Sequence, residues 1–288
     1  MSNLAIKQNI FTPQLVDIGY LNNLRSFIYK ETGMHFEDNK NYYLESRIKQ
    51  RMDILGLKTP FDYMDYLGKN HHSETQLLIE AITINETYFF RDFPQLQGFA
   101  EIVLPKYLVD LNSRGENQLK IWSAACSSGE EPYTLSIITK EILDDYKKFQ
   151  FQIEATDIDN NILSKAQAAL YDERSMKDTP TEYRENYFIH KNRLWHPTDE
   201  IKSRIKFKNL NLMNQNEMRK MQGFDFIFCR NVLIYFDDQS RKKVISNLYN
   251  SLKPGGYLFL GHSESVGRIT AAFQLEKAGN FIVYRKPV

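Results

Sequence analysis

The stretch that most constrains this chain is residues 119–133, LKIWSAACSSGEEPY. Its apolar start predicts a short strand, its small residues let the backbone approach a ligand, and Pro132 suits the first turn of a helix. Such a strand, turn and helix N-terminus form a corner of the nucleotide-binding type. Yet the chain lacks G-x-x-x-x-G-K-[ST] and this turn lacks G-x-G-x-x-G, while Glu130 and Glu131 make it acidic. An acidic turn disfavours polyphosphate and favours a cationic or polyhydroxyl ligand.

Strands and helices alternate through the rest of the chain, which predicts an α/β fold with parallel strands joined by right-handed crossovers. The segment 171–203 interrupts this rhythm, and we interpret it as an inserted subdomain with a few short strands. Asp238 is the predicted N-cap of the last long helix, and Gly279 and Asn280 mark a closing hairpin. The predicted strands are 119–124, 151–156, 205–212, 224–230 and 256–262, and the predicted helices are 132–146, 160–170 and one from Asp238 past Leu252.

Residues 10–83 show helical spacing of apolar side chains and predict a small all-helical N-terminal domain, followed by a second domain over 84–288. Ser73 and Gln76 are the predicted capping box of its fourth helix. The second helix carries Arg47, Lys49 and Arg51, a basic surface that either faces solvent or meets an acidic partner. The predicted helices are Leu15–Ile28 with Gly33 as its end, Tyr43–Leu55, 61–67 and a fourth through Ile82.

Composition restricts the function classes. The formal net charge is +1, so no global basic field argues for nucleic acid. The start of the chain has neither a basic region nor a long apolar core, and no run approaches about 18 apolar residues, so we expect a cytoplasmic protein without membrane insertion. Cys126 and Cys229 are expected to be buried free thiols.

Polar residues follow the predicted strands where ligands bind in a doubly wound sheet, outside the carboxyl ends. Asp157 ends the second strand and either accepts bonds from ribose hydroxyls or caps the next helix. The pairs Asn211 with Leu212 and Asn231 with Val232 follow the next strands and either sandwich a purine ring or form ordinary turns. The histidines at 71 and 72 have no second cluster with metal-ligand spacing, so we expect no metal.

Five ordered motifs, NETYFFR, SAACSSGEEPY, ATDID, FCRNVLIYF and GHSES, resemble the chemotaxis receptor methyltransferases of the CheR family over nearly the whole chain. The resemblance implies a class I S-adenosylmethionine-dependent methyltransferase fold, Rossmann-like, with a mostly parallel seven-stranded sheet, a helical N-terminal domain and a small inserted β-subdomain. It implies transfer of a methyl group to glutamate side chains on the cytoplasmic helical bundle of chemoreceptors, with S-adenosylhomocysteine as the other product.

Residue by residue, the resemblance implies that Arg91 and Tyr235 lie beside the transferred methyl group. It also implies receptor contact through the helical domain, where Arg47, Lys49 and Arg51 are the candidates. The cofactor-binding residues that it implies are Asn85, Thr87, Arg91, Glu131, Asp157, Asn211, Leu212, Asn231 and Val232. A phosphate-free sulfonium suits the acidic turn better than a nucleotide does.

Two rival functions stay open from the sequence. One is a methyltransferase with another acceptor, because only Arg91 and Tyr235 constrain the acceptor. The other is a non-catalytic adaptor that binds S-adenosylmethionine. One departure from the family also matters: members that grip a receptor's C-terminal pentapeptide have a glycine-containing loop, whereas HKNRLWHPTDE (190–200) is short and has no glycine. We therefore expect that this protein does not need the pentapeptide.

Overall fold

The computed structural model describes residues 18–144, 148–267 and 269–288. Three predicted boundaries lie outside these ranges: the starts of the helical domain at residue 10 and of its first helix at Leu15, and the end of the central helix at residue 146. In the described ranges the strands are β1 (Gln118–Ala124), β2 (Gln150–Asp157), β3 (Phe188–Lys191), β4 (Leu194–Pro197), β5 (Ile205–Asn209), β6 (Phe224–Cys229), β7 (Leu252–Leu260), β8 (Gln274–Ala278) and β9 (Phe281–Arg285).

Helices of the described ranges precede and connect these strands. A five-residue π turn, Phe99–Val103, joins the fifth and sixth helices into one run. No helix in the described ranges is both long and apolar enough to cross a membrane. They are α1 (Ile18–Thr32), α2 (Asn41–Leu55), α3 (Pro60–Lys69), α4 (His71–Ile82), α5 (Phe93–Gly98), α6 (Leu104–Ser113), α7 (Glu130–Asp144), α8 (Asn160–Ala168), α9 (Thr181–Tyr187), α10 (Asp199–Lys202), α11 (Gln215–Met218) and α12 (Asp238–Ser251).

Seven strands form one sheet in the order β5-β2-β1-β6-β7-β9-β8. The four pairings from β5 to β7 are parallel, and β9 and β8 close the sheet with two antiparallel pairings. The chain leaves β1 toward β2 and later returns to its other side at β6, so the order reverses between β1 and β6. This topology confirms the predicted mostly parallel seven-stranded sheet and opens a ligand crevice at the carboxyl ends of these strands.

The central strands are buried on both faces because helices cover both sides. Every residue of β6 is buried, and alternate side chains enter different clusters. Phe226 and Phe228 join the cluster under α5, α6 and α7, where Phe228 stacks on Phe259 of β7. Ile227 enters the second cluster, which continues into the helical region through residues such as Leu44. Helices α1 to α4 thus share a core with one face of the sheet.

The segment after α1 joins the helical region to the loop after β6. The backbone N–H of His35 donates to the carbonyl of Tyr235 at 2.8 Å, and Met34 forms an isolated bridge with Phe236. Gly33 ends α1 with φ of 73°, and a Cβ there would lie 2.7 Å from Met213. The left-handed backbone therefore favours glycine at position 33, and a Cβ there would also displace the Met213 side chain.

Two predicted helix caps are wrong by a few residues. Ser73 lies inside α4, where its hydroxyl donates to the carbonyl of Asn70, and the capping box belongs to Thr59 and Asp62 at the start of α3. The N-cap of α12 is Asp237 rather than Asp238. That helix also ends at Ser251, because Leu252 already pairs with β6. Neighbouring polar residues have equal capping propensity, and the helix register chooses between them.

The predicted basic surface of α2 does not form one face. At about 100° per residue, Lys49 lies roughly 200° around the helix from Arg47. Arg51 instead makes a two-pronged ion pair with buried Glu74, at 2.9 and 2.8 Å, and Tyr63 donates to the same carboxylate. The charge of Arg51 is thus committed to an internal pair, while Lys49 is exposed.

The inserted segment contains the antiparallel hairpin β3–β4 flanked by α9 and α10. Two strands therefore replace the predicted few. Asn192 and Arg193 form its two-residue turn, with φ of 54° and 65°. Positive φ at both central residues is the twist that tight hairpins prefer, and it explains how the hairpin closes without glycine.

Candidate active site

A cavity of about 260 Å³ opens at the carboxyl ends of β1, β2 and β6. The helical region contributes Thr32, Met34 and Phe36 to its wall. All ten residues singled out in the sequence also line it: Asn85, Thr87, Arg91, Glu131, Asp157, Asn211, Leu212, Asn231, Val232 and Tyr235. Residues from the linker between α4 and α5 (residues 83–92), from the ends of four strands and from the helical region thus meet around one space.

The turn after β1 alternates between ordinary and left-handed backbone. Ala125, Ser127 and Gly129 have φ of 60°, 50° and 94°. At Gly129 a Cβ would lie 2.9 Å from Ala166, so glycine is required. The backbone N–H groups of this turn already have acceptors within the protein. The N–H of Cys126 donates to the carbonyl of Thr156, that of Ser127 to the carboxylate of Asp157, and that of Gly129 to the carbonyl of Cys126. Amides used in this way do not form a cradle for phosphate.

The two glutamates of the turn have different surroundings. Glu131 lines the cavity and accepts from the Ser123 hydroxyl at 2.7 Å and from Arg230 at 3.0 Å. Glu130 is buried away from it and accepts from the hydroxyls of Ser128 and Ser175. Burial raises the pKa of the Glu130 carboxyl. The expectation that both charges face a ligand is thus corrected: the helical twist sends only Glu131 to the cavity.

Asp157 is a buried acid without an ion-pair partner among the described residues. Its carboxylate accepts from the backbone N–H of Ser127 at 2.8 Å and of Asp159 at 3.0 Å. Burial raises the pKa of Asp157 to about 6, against the pull of these amides. The helix-cap alternative belongs to its neighbour, because Asp159 accepts from Ile162 N–H at the start of α8.

Asp159 also holds the linker, a role that the sequence did not reveal. Its carboxylate accepts from the hydroxyl of Thr83 at 2.8 Å and from the side-chain amide of Asn85 at 2.9 Å. The carbonyl of Asn85 in turn accepts from the Ser127 hydroxyl at 3.1 Å. The linker is thereby tied to the turns after β1 and β2.

The two asparagines at the strand ends are held by partners that are distant in sequence. The Asn211 side chain donates to the carbonyl of Glu31 at 2.7 Å, which ties this strand end to α1. Asn231 has φ of 59°, and its N–H donates to Glu264 at 2.8 Å. Glu264 accepts from Leu233 and Gly261 as well, so the GHSES motif pins the loop after β6.

Arg91 lies between two residues in the left-handed region. Phe90 and Asp92 both have φ of 57°, a conformation that costs about 1–2 kcal/mol for a residue other than glycine. The N–H of Phe90 donates to the Thr134 hydroxyl, and its ring stacks on Tyr183. The Arg91 guanidinium donates to the carbonyl of Glu86 at 2.9 Å.

Arg230 is a further member of the site that sequence reasoning left unassigned. It is 8% exposed and lies at the end of β6. Its guanidinium donates to Glu131 at 3.0 Å, to Asp92 at 2.9 Å and to the carbonyl of Arg91 at 2.7 Å. The available signal was a cation directly after a buried and mostly apolar strand, because a buried cation needs partners.

Tyr235 ends a 3-10 turn after β6 and lines the cavity. Burial raises the pKa of its phenol. The hydroxyl therefore stays protonated near neutral pH and can donate a hydrogen bond. Across residues 18–144, 148–267 and 269–288, no group of three His, Cys, Asp or Glu side chains is arranged to hold a metal ion.

Comparison with known proteins agrees with this architecture. Residues 85–282 match the family model of the CheR methyltransferase SAM-binding domain, and residues 20–83 match that of the CheR methyltransferase all-alpha domain. Chemotaxis protein methyltransferase 2 of Vibrio cholerae is 38% identical over 91% of this chain and 91% of its own length. Chemotaxis protein methyltransferase 1 of Pseudomonas aeruginosa is 34% identical over 91% and 95%, and the Escherichia coli protein is 31% identical over 88% and 86%.

Proposed function

The chain belongs to the CheR methyltransferase family, and from this premise we propose that it transfers methyl groups to glutamate carboxylates of chemotaxis receptors. The chain is an S-adenosylmethionine-dependent methyltransferase. The observation that carries the acceptor proposal is the pair Arg91 and Tyr235 on the wall of the acid-lined cavity. A guanidinium and a phenol suit a carboxylate acceptor.

The chemistry of the cavity fits S-adenosylmethionine. When bound, this cofactor supplies a methyl group on a positively charged sulfonium and carries no phosphate. Asp157 has acceptor capacity left for ribose hydroxyls, since the donors to its carboxylate among the described residues are backbone amides and no side chain or cation pairs with it. Glu131 would face the positive end, and the amides of the turn after β1 are already paired. Asn85, Thr87 and Arg91 would bind from the linker, with Asn211, Leu212, Asn231 and Val232 around the adenine.

The reaction needs no general base. A glutamate carboxyl has an ordinary pKa of about 4.3 and is already ionised at neutral pH. The enzyme must orient one oxygen and remove water from it. We assign the first task to Arg91, which has donors left after its bond to the Glu86 carbonyl, and to the protonated phenol of Tyr235. Too strong a pairing would weaken the nucleophile, so Arg91 positions more than it polarises.

Replacement of Arg91 by lysine tests its role. A lysine keeps the charge but loses the planar fork, so we expect kcat to fall on the order of a hundredfold. The measurement is single-turnover transfer to receptor-bearing membranes, with cofactor affinity measured separately. Full turnover together with unchanged cofactor affinity would contradict the assignment.

The acceptor class is tested by product chemistry. The protein is incubated with methyl-labelled S-adenosylmethionine and receptor-bearing membranes, and mild alkali is then added. Carboxyl methyl esters release volatile methanol, which is the expected result. Alkali-stable label would indicate a methyltransferase with another acceptor, and no label would indicate a non-catalytic adaptor.

Receptor contact through the basic residues of α2 is part of the proposal. Arg47 and Lys49 remain candidates but lie on different faces of α2, so each would contact the receptor separately, and Arg51 contributes less because it pairs with Glu74. We expect Arg47→Glu to raise the receptor concentration for half-maximal methylation several-fold without changing cofactor affinity. Equal receptor dependence would remove Arg47 from the contact.

Independence from a receptor C-terminal pentapeptide remains a proposal, supported by the glycine-free turn at Asn192 and Arg193. A pull-down with tight, specific retention on the pentapeptide would overturn it. We also propose a cytoplasmic location and the division into a helical domain over 10–83 and a methyltransferase domain over 84–288 with an insertion at 171–203. The shared core makes cooperative unfolding of both parts the expected behaviour.

A further inference from the structure

The segment that presents Arg91 is held in an unfavourable backbone conformation. The residues on both sides of Arg91 have φ of 57°, and neither is glycine. Such residues persist only where the surrounding structure restrains them, and they are concentrated at functional sites. The restraint on this segment therefore bears on where Arg91 points.

We propose that Arg230 is a positioning residue that holds the left-handed segment Phe90–Asp92 and the cavity carboxylate of Glu131 in fixed relation. The proposal rests on the proposed function, because it concerns how Arg91 and the cofactor wall are aligned for methyl transfer. Arg230 would act through these two partners and not by touching the acceptor.

One nitrogen of the Arg230 guanidinium donates hydrogen bonds to the linker. Its Nη2 donates to the carbonyl of Arg91 at 2.7 Å and to the carboxylate of Asp92 at 2.9 Å. Both partners belong to the left-handed segment, one through the main chain and one through a side chain. The two bonds fix the peptide after Arg91 from inside the protein.

The other guanidinium nitrogen of Arg230 bonds to Glu131, on the part of the cavity wall that would face the cofactor. Nη1 donates to Glu131 at 3.0 Å, and the second oxygen of Glu131 accepts from the Ser123 hydroxyl. The side chain of Arg230 is 4% exposed, so water does not compete effectively for these bonds. A planar guanidinium is rigid, and its two arms cannot shift independently. The linker and the carboxylate of α7 are thereby coupled through one group.

The carbonyl of Asp92 also accepts from the N–H of Gln95 in α5, at 2.9 Å. The remaining restraints on the backbone of the segment act on Phe90. Its N–H bonds to the Thr134 hydroxyl, and its ring stacks on Tyr183 with centroids 5.1 Å apart. Arg230 is the group in the described structure that contacts the main chain of Arg91 and the side chain of Asp92 together. Loss of these bonds should leave Phe90 in place and let Arg91 shift.

The test separates the bonds of Arg230 to the linker, the linker arm, from its bond to Glu131, the Glu131 arm. Asp92→Asn keeps a residue that tolerates left-handed backbone but removes the charged partner, so kcat should fall about tenfold while the cofactor Kd stays within about twofold. Arg230→Lys cannot keep both arms, so kcat should fall at least as far and the cofactor Kd should rise about tenfold.

The matched control is Arg285→Lys. Arg285 also contacts two carboxylates and a backbone carbonyl, those of Glu276, Asp110 and Gly255, and none of these residues lines the cavity. This variant should have a lower Tm but parental kcat and Kd at a temperature where it is folded. If the Asp92 and Arg230 variants behave like the control, the proposal is overturned. If Arg230→Lys does not fold, parental kcat in Asp92→Asn overturns the proposal by itself.

The Kd measurements need no receptor, and this distinguishes the two proposals. A parent chain that binds the cofactor but never labels receptors would refute the proposed function. The same preparation would still support the Glu131 arm if Arg230→Lys alone weakened cofactor binding, and would refute that arm if all three variants bound equally.

Discussion

Two buried aspartates at opposite ends of the sheet differ in how completely they are paired. Asp225, near the start of β6, accepts from the Tyr107 hydroxyl and the Lys120 N–H, both at 2.7 Å, and lies 2.9 Å from the ammonium of Lys253. Asp157, at the end of β2, has two backbone amides and no cation among the described residues. Both are less than 10% exposed. The fully paired Asp225 stabilises the fold, whereas Asp157, which has acceptor capacity left, is suited to bind a ligand.

The largest effect is expected where the pairing is complete. Asp225→Ala leaves the Tyr107 hydroxyl, the Lys120 amide and the Lys253 ammonium without their acceptor. We expect the free energy of unfolding to fall by about 3 kcal/mol, measured by urea denaturation. Cofactor affinity of the folded variant should not change, and a weaker affinity would show that the two ends are coupled.

For Asp157→Ala we expect the opposite of Asp225→Ala, a large loss of cofactor affinity and a smaller loss of stability. Loss of a charged acceptor for ligand hydroxyls should raise the cofactor Kd about tenfold to a hundredfold, measured by isothermal titration calorimetry. The free energy of unfolding should change less than in Asp225→Ala, because at neutral pH the folded state already bears the cost of a buried charge. A normal Kd would return Asp157 to a purely structural role.

Acidification should weaken cofactor binding through the same group. The pKa of Asp157 in the folded protein is raised to about 6, and only the ionised form accepts from two hydroxyls at once. Between pH 7 and pH 5 the ionised fraction falls from about 0.9 to about 0.1, so the Kd should rise about tenfold. The dependence of the cofactor Kd on pH should disappear in Asp157→Asn. If the Kd of this variant still changed with pH, the titration would belong to another group.

The smallest effect is expected at Glu130. Its carboxyl lies outside the cavity and accepts from two serine hydroxyls, so Glu130→Gln should leave the cofactor Kd within about twofold. Glu131→Gln is the matched comparison, and it should weaken binding about tenfold because it loses a charge that faces the ligand. Equal effects in the two variants would show that the turn acts as one negative patch.

The fold was largely predictable because its signals are local and repeated. Apolar runs at 119–124, 151–156 and 224–230 each became a parallel strand, with boundaries correct within about two residues. The exact caps were not predictable, since Asp237 and Asp238 at the start of α12, or Asn70 and Ser73 at the start of α4, are equivalent in propensity. A helix begins where its register matches the core, and this is decided by packing.

The members of the cavity were predictable from strand ends and from the family motifs, but their pairing was not. Nothing local links Asp159 to Asn85 or Asn211 to Glu31, which are separated by 74 and 180 positions. The same holds for Arg230, whose partners Glu131 and Asp92 come from α7 and the linker. Such bonds depend on crossovers that the chain makes elsewhere.

Local sequence patterns predicted the layered α/β fold, the site at the carboxyl ends of the strands and an acidic segment at residues 119–133 that disfavours phosphate. These follow from residue type and order, which act over a few positions. Three features required the folded chain: Glu131 and not Glu130 faces the cavity, Arg51 forms an ion pair with Glu74, and Arg230 connects the linker to α7. The physical reason is that burial and pairing depend on groups brought together from distant positions, and these two quantities set the charge that each side chain can present.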